Sequence, residues 1–165
     1  MIVIVLVFAV YALFFTNFDL SFNSKNSTVN LKNLKTHLLN NYTFTDKLKL
    51  VCIDEGEECF VFLDGKYSKE NQINHLFNEK PEVYKYSSAL DLVTYDRVTF
   101  KNQEDYEVCF EFVINKDRKT SEMIVLSSEK VFVFSSLSDT PIVLAYLNDV
   151  TDMFEERISE VKDAF

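Results

Sequence analysis

The sequence contains little of what most phosphate-binding and metal-binding sites are built from. Its 165 residues include 2 Gly, 2 Pro, 2 His and no Trp. So few glycines argue against the loops that cradle phosphates and the tight elbows that present a catalytic serine. Neither His37 nor His75 belongs to a zinc-binding motif. We therefore predict no catalytic, cofactor or metal site, and a protein that is not an enzyme.

Clusters of basic residues are also lacking, and the formal net charge is −9 at pH 7. Because proteins that bind nucleic acid need Lys and Arg patches to displace counterions from phosphates, nucleic acid is excluded as a partner. One acidic cluster, Asp54, Glu55, Glu57 and Glu58, has the oxygen ligands that Ca²⁺ prefers. It lacks the alternate spacing of an EF-hand loop, so a solvated hairpin tip is the preferred interpretation.

The first 18 residues form the longest apolar stretch of the chain. They begin MIVIVLVFAVYALFF, and Asp19 is the first charged residue. A helix through position 18 would span ~27 Å, close to the ~30 Å hydrocarbon core of a bilayer. A buried core helix would show a polar face, and a cleaved signal peptide would show a basic start and a small-residue cleavage site. The stretch therefore predicts a transmembrane anchor helix over 1–18, in contact with membrane lipid.

Two observations bear on the orientation of this anchor helix in the membrane, and they disagree. We expect a single-pass protein of the inner (cytoplasmic) membrane with its soluble domain outside the cytoplasm, the compartment that would favour a disulfide. However, no Lys or Arg precedes the span, whereas Lys25, Lys32 and Lys35 follow it. Applied literally, the positive-inside rule places the domain in the cytoplasm. A basic leader upstream of Met1 would remove the conflict.

The rest of the chain predicts an α+β fold. Residues 19–45 are predicted to form an amphipathic helical extension, with Val29, Leu31, Leu34 and Leu38 on one side. Residues 46–165 form an antiparallel β-sheet domain with a C-terminal helix. Alternating apolar residues predict hairpins around 54–57 and 127–130. We expect the terminal helix, from about residue 149, to dock on the sheet through Phe154 and Ile158.

Three cysteines are present, and two of them fall opposite each other in the first hairpin. A four-residue turn at 54–57 pairs Cys52 with Cys59. In a pair without mutual hydrogen bonds the Cα atoms lie ~4.5 Å apart, within disulfide reach. A reducing compartment would favour two small core residues, but we expect an oxidising one and therefore predict a disulfide between Cys52 and Cys59. Cys109 has no evident partner.

The order of an apolar helix, an amphipathic helix and an antiparallel sheet resembles the type IV pilin and minor pseudopilin architecture. The resemblance rests on MIVIVLVFAVYALFF followed by TNFDLSFNSKNSTVNLKNLKTHLLNN. It implies a non-enzymatic subunit of a type II secretion or type IV pilus-like assembly, packed against other pilin-like subunits. The prepilin cleavage motif is absent, so we expect the true start to lie upstream. The alternative is a membrane-tethered extracytoplasmic binding or accessory domain unrelated to pilins.

Overall fold

The computed structural model describes residues 29–99 and 105–163, so the predicted anchor (1–18) and residues 19–28 of the predicted extension lie outside the described residues. Within those ranges no helix is both long enough and apolar enough to cross a membrane. In chain order the elements are α1 (Leu34–Asn41), β1 (Lys47–Ile53), β2 (Glu58–Leu63), β3 (Lys66–Asn74), β4 (Glu82–Lys85), β5 (Val98–Thr99), β6 (Asp105–Tyr106), β7 (Val108–Asn115), β8 (Met123–Ser127), β9 (Lys130–Phe134), β10 (Ile142–Leu144) and α2 (Asn148–Asp163).

The predicted combination of antiparallel strands with a C-terminal helix is confirmed, but the strands form more than one sheet. The first sheet has the order β3-β2-β1-β7, and the second has the order β10-β9-β8-β4. A ribbon of β5 and β6 is separate from both. Every ladder between these described strands is antiparallel. The hairpins predicted around 54–57 and 127–130 are both present, one in each sheet.

The main core lies between the two sheets. Apolar side chains from alternate positions of β1, β2, β7, β8 and β9 meet there, and Phe112 of the first sheet contacts Phe134 of the second with ring centroids 5.3 Å apart. Leu34 and Leu38 of α1 are fully buried in the same cluster. Helix α1 therefore closes the sandwich formed by the two sheets.

Each sheet is also covered on its outer face, which gives a four-layer arrangement. Helix α2 packs on the second sheet, where Val150 is fully buried and Phe154 meets Tyr86 edge to face at 5.0 Å. The ribbon and the segment before it pack on the first sheet over Val51 and Val108. Since both faces are covered, strand β1 is buried at four consecutive positions, 50–53.

The docking predicted for α2 is correct for Phe154 and wrong for Ile158. Phe154 is half-buried against the second sheet, whereas Ile158 is 52% exposed. Beyond Phe154, Arg157 donates a hydrogen bond to the hydroxyl of Tyr86, the residue after β4, at 2.8 Å. Side chains 155–159 are all exposed, so the helix has run past the sheet by the time Ile158 is reached.

In residues 29–45, the described part of the predicted helical extension, the helix covers fewer residues than predicted. Only Leu34–Asn41 is helical between residues 29 and 45. The carbonyl oxygen of the Asn30 side chain accepts hydrogen bonds from the backbone amides of Lys32 and Asn33, which favours a turn over a helix. At the other end Tyr42 is extended, with φ −128°. Buried Lys35 pairs with Asp139 at 2.9 Å and ties the short helix to the loop after β9.

Candidate functional site

A cleft of about 510 Å³ lies on the outer face of the first sheet. Strands β1 and β7 form its floor, and the segment 94–98 forms one wall. The floor is apolar because Val51 and Val108 are buried there, at 2% and 7% exposure. The cleft has the size of a small-molecule site. Its lining residues are Lys47, Lys49, Val51, Phe62, Gly65, Thr94, Tyr95, Asp96, Arg97, Val98, Val108 and Glu111.

The lysines of this first cleft are placed by the pleat of β1. Lys47 and Lys49 alternate with Leu48 and Leu50, which are fully buried between the sheets, so the lysines point to the outer face. The start of β1 is fixed by the carboxylate of Asp64, which accepts hydrogen bonds from the backbone amides of Asp46, Thr45 and Lys47. These amides, with Asp46 first, hold the pKa of the Asp64 carboxyl well below its usual range.

Tyr95 anchors the wall of the cleft. Its side chain packs beside Val98 on the outer face of the first sheet. Burial raises the pKa of the Tyr95 phenol to about 12, partly offset by a backbone hydrogen bond from Glu111 of β7. The phenol is therefore neutral at physiological pH. It fixes the segment 94–97 against the sheet and leaves Arg97 exposed at the cleft.

A second cleft, of about 620 Å³, lies on the other side of the same segment. Tyr95 and Arg97 line both clefts, so the segment is their common wall. The main ion pair of the second cleft joins Lys80 and Glu107. Cys109 lies in its lining, and burial raises the pKa of that thiol to about 11. The thiol is therefore protonated at neutral pH and is a poor nucleophile.

The cysteines lie where the hairpin register predicts. Cys52 is opposite Cys59, and Ile53 is opposite Glu58. The structure joins Cys52 and Cys59 by a disulfide with Cα atoms 4.0 Å apart, and neither side chain is exposed. Cys109 is a free, buried cysteine on β7, and its thiol donates a hydrogen bond to the Cys52 carbonyl oxygen at 3.4 Å. The three cysteines therefore meet at one point of the first sheet.

The remaining residues considered from sequence do not assemble into a site. His37 is half-buried on α1, where burial lowers its pKa, and His75 is exposed at φ 58°. The acidic residues around Gly56 form the exposed tip of the first hairpin, as expected. Across residues 29–99 and 105–163, no three His, Cys, Asp or Glu side chains come together in a way that could hold a metal ion.

Sequence reasoning did not identify either cleft. The alternation of Lys47 and Lys49 with leucines was visible, but nothing local marks Tyr95 or Arg97 as their neighbours. Comparison with known proteins gives no further guide, because no protein-family model, curated protein or solved structure matches the chain.

Proposed function

We propose that this chain is a membrane-tethered extracytoplasmic domain that binds a ligand or partner, and that it is not an enzyme. The observation that carries the proposal is the pair of clefts on either side of residues 94–97. The floor of the first cleft is formed by strands β1 and β7 of a sheet that is covered on both faces, so this floor is rigid. Pre-formed concave sites of this size are typical of small-ligand binding.

The chemistry of the clefts supports binding over catalysis. Among the described lining residues the strongest potential nucleophile is Cys109, and burial keeps its thiol protonated. The carboxylates with close cationic partners, Glu107 and Glu111, are held in ion pairs with Lys80 and Lys49. Paired charges of this kind position side chains and present a polar rim, which suits the recognition of a ligand.

The way α1 is packed supports a tethered domain. Leu31, Leu34 and Leu38 are buried in the main core, so the chain that arrives from the predicted anchor is fixed to the folded domain at Leu31. Twelve residues separate position 18 from Leu31. Whatever their conformation, they place the domain at most about 45 Å from the membrane. The clefts would therefore act close to the bilayer surface.

The proposed location can be tested by adding protease to intact spheroplasts. We expect the domain to be degraded while a cytoplasmic control protein survives, because the anchor would hold the domain outside the inner membrane. A variant lacking residues 1–18 should leave the membrane fraction, since it has lost the apolar stretch. Full protection of the domain in intact spheroplasts, with degradation only after lysis, would contradict the proposal.

A second candidate, the pilin-like assembly subunit, is favoured by one feature of the second sheet. Strand β10 is a three-residue edge strand, and around it Leu137, Ile142, Val143 and Tyr146 are exposed. Exposed apolar residues beside a free strand edge are typical of a surface that contacts another protein. A photo-crosslinking residue at position 146, compared with one at exposed Lys116, separates the candidates. Site-specific crosslinks between copies at 146 would select the assembly subunit.

A further inference from the structure

The first cleft concentrates positive charge on a protein whose net charge is −9. Lys49 forms an ion pair with Glu111 at 2.5 Å, so those two charges offset each other. Lys47 and Arg97 have no ion-pair partner among the residues that the structure describes. They face the cleft together with one further carboxylate, that of Asp96. The side chains that line the first cleft therefore carry an excess of one positive charge, while Glu107, in the second cleft, is near enough to Arg97 for the guanidinium to help lower the pKa of its carboxyl.

Apolar groups also line the cleft. The rings of Tyr95 and Phe62 are half-buried at its walls, whereas Val51 and Val108 in the floor are almost fully buried. A ligand seated here would bring a flat apolar surface against the two rings and one anionic group to the rim. Arg is well suited to the anion because its planar guanidinium donates two parallel hydrogen bonds to a carboxylate or phosphate.

We propose that the first cleft binds a small organic anion, in which one carboxylate or phosphate group is attached to a flat apolar body. The anionic group lies between Lys47 and Arg97, and the apolar body packs against the rings of Tyr95 and Phe62. This assignment rests on the proposed binding function and specifies its ligand. The second cleft fits the same ligand less well, because its Lys80 is already paired with Glu107.

Titration of the ¹⁵N-labelled full-length protein, in a zwitterionic detergent, tests the assignment. The probes are phenyl phosphate, which has both parts of the ligand, benzyl alcohol, which has only a neutral ring, and inorganic phosphate, which has only the anion. We expect phenyl phosphate to shift the amide signals of Lys47, Arg97 and Val108. Its Kd should be about tenfold lower than that of either partial probe, because both halves of the cleft are engaged.

Two variants show whether the charge at the cleft is responsible. Arg97→Gln should weaken phenyl phosphate binding about tenfold, since it removes the bidentate donor from an exposed position and leaves the fold unchanged. Lys116→Gln removes one positive charge from the exposed turn after β7 and should leave the Kd unchanged.

The outcomes separate this assignment from the proposed function. Equal affinity for benzyl alcohol and phenyl phosphate at the same residues would overturn the anionic class, although the cleft would still be a binding site. Signal shifts scattered over the surface, or equal losses in Arg97→Gln and Lys116→Gln, would overturn the site itself. Failure of the tethered extracytoplasmic function appears separately, as protection of the domain in spheroplasts.

Discussion

Replacing Phe112 by Ala should lower the free energy of unfolding by about 3–5 kcal/mol. Phe112 is fully buried between the two sheets. Its ring lies parallel to that of Phe110 at 6.3 Å and edge to face with Phe134 at 5.3 Å. Since Phe134 belongs to the opposite sheet, truncation leaves a cavity where the sheets meet, and the neighbouring strands cannot fully collapse into it.

Thermal unfolding of the full-length protein in detergent measures this loss, as a fall in melting temperature on the order of 10 °C. The matched control is Phe62→Ala. Phe62 is half-buried on the outer face of the first sheet, so its loss should cost only about 1 kcal/mol. Equal losses for the two variants would mean that the sheets do not pack through Phe112.

The second large effect is expected at Gly56, in the turn between β1 and β2. Its φ is +89°, a conformation that strains any residue with a Cβ atom. A Cβ atom at this position would lie 2.9 Å from Cδ2 and 3.0 Å from Cβ of Phe77, which is itself buried. The Phe77 Cβ atom is fixed by the backbone and cannot move aside cheaply. Gly56→Ala should therefore destabilise the protein by about 2–4 kcal/mol, combining strain and overpacking.

Gly65 provides the control for this prediction, since it is the other glycine of the chain. Its φ is +77°, but nothing lies within 4 Å of an added Cβ atom. Gly65→Ala therefore incurs the backbone strain without the steric clash, and should cost about 1 kcal/mol. Chemical denaturation of both variants gives the difference directly. A loss in Gly56→Ala no larger than that in Gly65→Ala would refute the contact with Phe77.

The hairpins were predictable because their signals are local. In β1 and β2, apolar side chains alternate on both sides of a short acidic turn, and this sets the register that pairs Cys52 with Cys59. The turn between β8 and β9 is equally local. Ser128 and Glu129 both have positive φ, as a two-residue hairpin loop requires. The C-terminal helix follows from its 3.6-residue apolar spacing, and only the extent of its docking was mispredicted.

The division into two sheets could not be read from the sequence. Strand β1 is buried on both faces, so its sequence does not indicate which sheet or helix covers each side. Strand β3, with the sequence KYSKENQIN, is an edge strand with few apolar residues, so its sequence gives little sign of a strand. Leu92 forms an isolated bridge with Tyr84, and Val98–Thr99 form β5, while Tyr95 between them packs on the outer face of the first sheet.

The candidate site was unpredictable for a related reason. Lys47 and Arg97 are 50 positions apart in the sequence, and they line one cleft only because the segment 94–97 forms a wall beside strand β1. Cations of this kind carry no local motif. Whether such a side chain is available to a ligand depends on whether another residue forms an ion pair with it in the folded protein, as Glu111 does with Lys49.

The proposed location of this domain outside the cytoplasm is tested most directly by the redox state of its cysteines in the cell. Cells are quenched in acid, and their thiols are alkylated under denaturing conditions without reductant. Mass spectrometry should then find Cys52 and Cys59 joined and only Cys109 alkylated, because Cys109 is the one free cysteine. Alkylation of all three cysteines would contradict both the disulfide and the extracytoplasmic location.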